Sequence, residues 1–161
     1  HEGTNGIQSM DLMGRKVLQQ GGAGFKLLVG RIEATLAEGR GTEGLLGEHV
    51  ARLDEALKIA VDVTETLRPL AEAGDMRRYL ANSAVYLDLM GALVVGWLWL
   101  RQALRAERAL QDGGMNEASF YRGKLAACRY FFRFELPKVK QQAELLKSQD
   151  TTLLDVEDDC F

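Results

Sequence analysis

The chain has 161 residues, 47% of them hydrophobic, 27% charged and 7% aromatic, with a formal net charge of −3. That size and apolar content suit one domain with a real core and exclude a disordered segment, while the mild acidity removes any overall electrostatic motive for binding nucleic acid. The two cysteines, Cys128 and Cys160, are too few and too isolated for a secreted disulfide framework or a metal-ligand set, so a reducing cytoplasm is the expected compartment.

The chain opens on His1-Glu2-Gly3-Thr4-Asn5-Gly6-Ile7-Gln8, a polar loop with two glycines and no initiator Met. Ile7, Met10, Met13, Val17 and Leu18 recur at three- and four-residue spacing, which predicts a first helix over 7–19 with Asn5 as its cap. Gln20–Gly24 interrupts it. Phe25, Leu28, Val29, Ile32 and Leu36 predict a second helix that ends in EGRG at 38–41. From Thr42 a stripe that includes Leu46, Leu53, Leu57, Thr64 and Leu67 predicts a long helix reaching about Ala73, kinked or ended near Arg68 by Pro69.

The next element is expected to run from Met76 to Leu110 without a break. Its run LMGALVVGWLWL (89–100) is apolar on nearly every side, as in a helix packed all round, and Gly91 and Gly96 would admit a close helix neighbour. At 12 residues, between Asp88 and Arg101, that run is too short for a bilayer span, which takes roughly 20. Gly113-Gly114 ends the helix, Asn116 caps the next, and Ala118–Leu136 continues as helix until Pro137 kinks the chain or starts a new turn. No window alternates with period two. The predicted fold is therefore an all-α, up-down bundle of about four to five helices joined by short Gly-rich turns, with an acidic tail over 151–161.

Few residues point to chemistry by themselves. His1 and His49 stand in no metal-binding frame, and His49 reads as a surface partner of Glu48. Gly21-Gly22-Ala23-Gly24 follows no strand and reads as a helix break rather than a phosphate loop. Arg122, Arg129 and Arg133 share one helix face while Leu125, Cys128, Phe132 and Leu136 share another, a core helix with a solvated basic stripe rather than a nucleic-acid surface. Asn82 and Asp88 read as boundary or bundle-facing polar groups with hydrogen-bond partners. Glu2 differs from these. A carboxylate on a glycine-bearing loop before a helix N-terminus can be presented into a cleft, with Gly3 and Gly6 permitting close approach and Thr4 and Asn5 offering polar contacts, although a frayed terminus would look the same.

The stretch Glu2-Gly3-Thr4-Asn5-Gly6-Ile7-Gln8, continued by Asp11-Leu12-Met13-Gly14-Arg15-Lys16, resembles the catalytic-glutamate segment of the acyl-CoA dehydrogenases. It looks most like the longer bacterial subfamily with an additional C-terminal helical domain, which YLDLMGALVVGWLWLRQA (86–103) and FYRGKLAACRYFFRFELPKV (120–139) resemble. The resemblance spans the whole chain and is weakest over 20–75. It implies that residues 1–20 end the catalytic helical domain and 21–150 form the additional bundle.

The resemblance also implies an FAD enzyme that oxidises acyl-CoA thioesters to trans-2-enoyl-CoA. Glu2 would remove the α-proton while the β-hydrogen leaves as hydride to the flavin. Gly3 would lie against the CoA substrate, and Thr4, Asn5 and Gly6 would touch FAD, often that of a neighbouring subunit. Electron-transfer flavoprotein is the implied acceptor and a homo-oligomer the implied assembly. The domains that complete the flavin and thioester sites would precede His1, so the chain is expected to be an inactive C-terminal piece of a longer protein. Its first helix should then expose Met10, Met13 and Val17, leaving a mobile or self-associating segment. The alternative is a stand-alone helical interaction or oligomerisation module built on the helices at 76–110 and 118–136.

Overall fold

A computed structural model describes residues 3–113 and 117–156. Among these residues there is no strand, and five helices exceed ten residues: α2 (Gln19–Glu38), α3 (Gly44–Glu72), α5 (Ser83–Gln111), α6 (Ala118–Phe134) and α7 (Lys138–Ser148). Shorter pieces are α1 (Asn5–Asp11), α4 (Met76–Leu80) and α8 (Thr152–Asp155), and a π-helical turn over Leu12–Lys16 follows α1. The all-α bundle expected from the sequence is the observed architecture.

Pairs of residues across helices set the directions. Gly39 lies against Val50 and Gly22 near Arg68, so α2 and α3 run antiparallel. Tyr86 pairs with Thr64, and Gly96 lies against Leu53, so α5 runs back along α3. Four links then join α3 to the last two long helices in increasing order: His49 to Cys128, Arg52 to Phe132, Glu55 to Lys140 and Asp62 to Lys147. α6 and α7 are thus one rod, parallel to α3 and bent at Pro137, where the ring fixes φ at −60° and cannot donate to the preceding turn. The bundle is up-down: α2, α3, α5, then α6 with α7.

Ile32, Leu53, Val63, Leu89, Leu93 and Phe132 lie at its centre with at most 1% of their surface exposed. Each such side chain stabilises the fold by about 1.5–3 kcal/mol over its exposed state. α5 is the central helix. It is long and apolar enough by composition to cross a membrane, yet it packs on α1, α3, α6 and α7, and its most buried residues face those neighbours.

The structure corrects several expectations. Pro69 does not end α3 at Arg68; the helix reaches Glu72. So near the C-terminus the ring removes one backbone bond, while buried Leu67 and packed Leu70 hold the last turn. The helix expected over 76–110 is broken at Ala81–Asn82. Asn82 leaves helical geometry (φ −108°, ψ 29°) and its side-chain amide donates to the Asp150 carbonyl at 2.9 Å. Gly96 does admit a neighbour, Leu136, but Gly91 faces open space. Asp88 is exposed rather than bundle-facing. Met13 and Val17 are buried, at 1% and 5% exposure, and only Met10 of the three expected apolar positions is open. The first segment packs on α4 and α5 instead of standing free. Asn116 lies outside the described residues.

Candidate functional site

Gly3 takes a left-handed backbone (φ +58°), a conformation that costs glycine little and other residues more. The chain then enters α1, with Thr4 at the boundary position and Asn5 the first helical residue, so Asn5 is not the cap. The Thr4 carbonyl accepts from the Gln8 amide at 2.9 Å, but its side chain caps nothing. Thr4 is half-buried while Gly3, Asn5 and Gly6 are exposed, and a Cβ added at either glycine would touch nothing within 4 Å. Gly3 and Thr4 therefore lead into α1 and Asn5 and Gly6 begin its first turn, so the four sequence-predicted residues make one open helix start. Glu2 lies outside the described residues.

Residues absent from the sequence motif anchor this helix start. The Ser9 hydroxyl donates to the Gly6 carbonyl at 2.8 Å and lies 3.1 Å from the Ser83 hydroxyl at the start of α5. Both serines are buried, so the pair satisfies polar groups that would otherwise be stranded. One turn on, the Tyr79 hydroxyl donates to the Met13 carbonyl at 3.0 Å, inside the π-helical turn. Such a turn widens the helix, leaves carbonyls to be satisfied from outside, and recurs at functional sites. Gly14 sits against Leu80 there, and a Cβ in its place would lie 3.4 Å from a Leu80 methyl. Arg15 grips Asp11 with two nitrogens at 2.6 and 2.9 Å, and this bond, helped by Lys16, holds the Asp11 carboxyl below its ordinary range.

The second cluster is internal. His49 is buried, not a surface partner of Glu48: its ring packs on Phe132 at 4.6 Å and its Nδ1 is 3.7 Å from Cys128 Sγ. Burial lowers its pKa, with Arg52 and Arg129 adding to the effect and Glu48 opposing it. Burial pushes the Cys128 thiol up to about 12. A neutral imidazole beside a protonated thiol makes no activated nucleophile. It is a structural pair joining α3 to α6. The sequence carried no sign of it, since the partners are 79 residues apart.

The sequence model of a family described as "Acetyl-CoA dehydrogenase C-terminal like" matches residues 28–157. Curated relatives extend the likeness across the whole chain. A broad-specificity linear acyl-CoA dehydrogenase of Mycobacterium tuberculosis is 29% identical over 167 residues, covering 100% of this chain and 27% of that protein. A 3-methylmercaptopropionyl-CoA dehydrogenase of Ruegeria pomeroyi is 34% identical over 155 residues, covering 94% and 25%. A butyryl-CoA dehydrogenase of Syntrophomonas wolfei is 27% identical over 162 residues, covering 99% and 26%. The chain thus spans about a quarter of the length of the relatives it matches.

Proposed function

The chain belongs to the acyl-CoA dehydrogenase family, as its C-terminal helical region, and from that premise we propose that it serves an FAD-dependent oxidation of acyl-CoA thioesters to trans-2-enoyl-CoA. The observation that carries this reading is that the similarity to enzymes of that chemistry takes in the Gly3–Gly6 loop as well as the bundle. In this reading Glu2 is the base that takes the α-proton. An α-C–H is so weakly acidic that the carboxylate must be positioned and poorly solvated to remove it, and the loop built on Gly3, Ser9 and Ser83 supplies a fixed mount. Gly3, lacking a side chain, lets the thioester lie close.

Thr4, Asn5 and Gly6 fit an edge contact to the cofactor. The Thr4 hydroxyl and Asn5 amide are committed to no hydrogen bond among the described residues, and the space beside Gly6 is open. FAD, when bound, supplies the acceptor for the β-hydride. Within the chain, the left-handed break at Gln20–Gly22 is our proposed boundary between the catalytic segment (1–20) and the additional bundle (21–150). The whole enzyme would be a cytoplasmic homo-oligomer passing electrons to electron-transfer flavoprotein, and the 161-residue chain alone would be inactive.

The test is to purify the longer protein that carries this chain and to look for bound flavin and acyl-CoA-dependent dye reduction. Both are expected; a colourless protein, or one inert to acyl-CoA thioesters, would contradict the reading. A stand-alone interaction module is the second reading, favoured by the aromatic side chains that α6 leaves exposed, Tyr130 at 59% and Phe134 at 54%.

A further inference from the structure

α4 (Met76–Leu80) has five residues, too few to hold helical form alone, since an isolated helix shorter than about 12 residues is marginal in water. Its ends do not fix it either. Gly74 precedes it with a left-handed backbone (φ +76°), and Asn82 follows it outside helical geometry. The place of α4 is therefore set by what it touches.

Its contacts divide by face. Tyr79, Leu80 and Ser83 turn to the first segment: the Tyr79 hydroxyl donates to the Met13 carbonyl, Leu80 packs on Gly14, and the Ser83 hydroxyl meets Ser9. Arg77, Arg78 and Asn82 turn to residues 149–154. The Arg77 guanidinium donates to the Leu154 carbonyl at 2.8 Å, that of Arg78 to the Gln149 side-chain oxygen at 3.2 Å, and the Asn82 amide to the Asp150 carbonyl at 2.9 Å. Gln149 itself is left-handed (φ 53°) where the chain leaves α7, a conformation that costs any residue with a Cβ. Residues 77–83 thus lie between the segment that carries the family motif and one that follows it by about 140 residues in sequence.

We propose that residues 77–83 are the positioning element for the catalytic segment. Tyr79 and Ser83 hold residues 6–14, and Arg77 and Asn82, by gripping 149–154, hold Tyr79 and Ser83 in place. The inference rests on the reading of Glu2 as the base and deepens it: the additional bundle sets where the base stands. A base displaced by an ångström loses much of its rate, so the effect falls on proton abstraction and not on thioester binding.

The whole flavoprotein that carries this chain tests it, by hydrogen exchange and by rapid mixing with an acyl-CoA thioester. Asn82→Ala and Arg77→Ala remove the grip on 149–154, and neither side chain bonds to the first segment among the described residues. In each variant amide exchange over residues 5–17 should quicken at least about threefold. Both variants, and Tyr79→Phe, should slow substrate-driven bleaching of the flavin by about three- to tenfold, with flavin content and the Kd of an enoyl-CoA product unchanged. Asn82→Asp keeps the shape but loses the donor, so it should be at least as slow as Asn82→Ala; a space-filling role would leave it at the wild-type rate. Unchanged exchange over 5–17, wild-type bleaching in these variants, or a loss confined to enoyl-CoA binding overturns the proposal and leaves the enzymatic reading standing, because the wild-type protein bleaches. A wild-type protein that holds no flavin or does not bleach removes that reading, and the positioning role with it.

Discussion

The buried hydroxyls of Ser9 and Ser83 lie 3.1 Å apart, and through them the start of α5 holds the first turns of α1, beside the residues proposed for the site. Ser9 also donates to Gly6, so one short chain of hydrogen bonds runs from the bundle to the proposed cofactor edge. Ser9→Ala or Ser83→Ala should each cost about 1–2 kcal/mol, because each strands a buried polar partner. The double substitution should cost less than the sum. Chemical denaturation of the four proteins checks this; strict additivity would show that the hydroxyls do not interact.

Tyr79→Phe removes the donor to the Met13 carbonyl while keeping the buried ring. The expected loss is about 1 kcal/mol, with faster amide exchange confined to the π-helical turn and its flanks. Exchange that rises evenly over the whole bundle would mean that the hydroxyl does not hold that turn.

Two glycines of α5 should respond in opposite directions. Gly91 faces open space, so Gly91→Ala should stabilise the protein by about 0.5–1 kcal/mol through helix propensity. At Gly96 a Cβ would already sit 3.1 Å from Leu136 and 3.4 Å from Phe131, and Gly96→Val should cost about 1–3 kcal/mol by forcing α5 off the α6–α7 rod. Thermal melts of both variants decide it, and equal effects would contradict the packing.

His49 predicts an acid limb in the stability curve. Its folded pKa lies below the ordinary 6.5, so below pH 6.5 the unfolded chain binds a proton that the folded chain refuses. Stability contributed by this group is complete above 6.5 and falls as the pH drops through the interval down to the folded pKa. His49→Gln should flatten that limb, whatever it does to stability at neutral pH. A slope below pH 6.5 left unchanged by the substitution would place the ring in water.

Most helices were legible in the sequence because their buried stripes are local patterns: Leu53, Leu57, Thr64 and Leu67 recur at helical spacing and are buried on one face. The break at Asn82 was not, because no glycine or proline announces it and its cause, the Asp150 carbonyl, is 68 residues away. The burial of His49 was hidden for the same reason. The segment at 3–6 stands out in the sequence as a glycine-bearing polar start. Its mount does not, since Ser83 and Tyr79 become meaningful only when α4 and α5 fold back on the first helix.

The proposed chemistry turns on Glu2 as the proton-abstracting base of an acyl-CoA dehydrogenase. The decisive measurement is rapid mixing of an acyl-CoA thioester with the whole flavoprotein carrying Glu2→Gln. Flavin content and binding of an enoyl-CoA product should persist, while substrate-driven bleaching of the flavin slows by about 10²–10⁴-fold or more. Bleaching at the wild-type rate would contradict the role of Glu2.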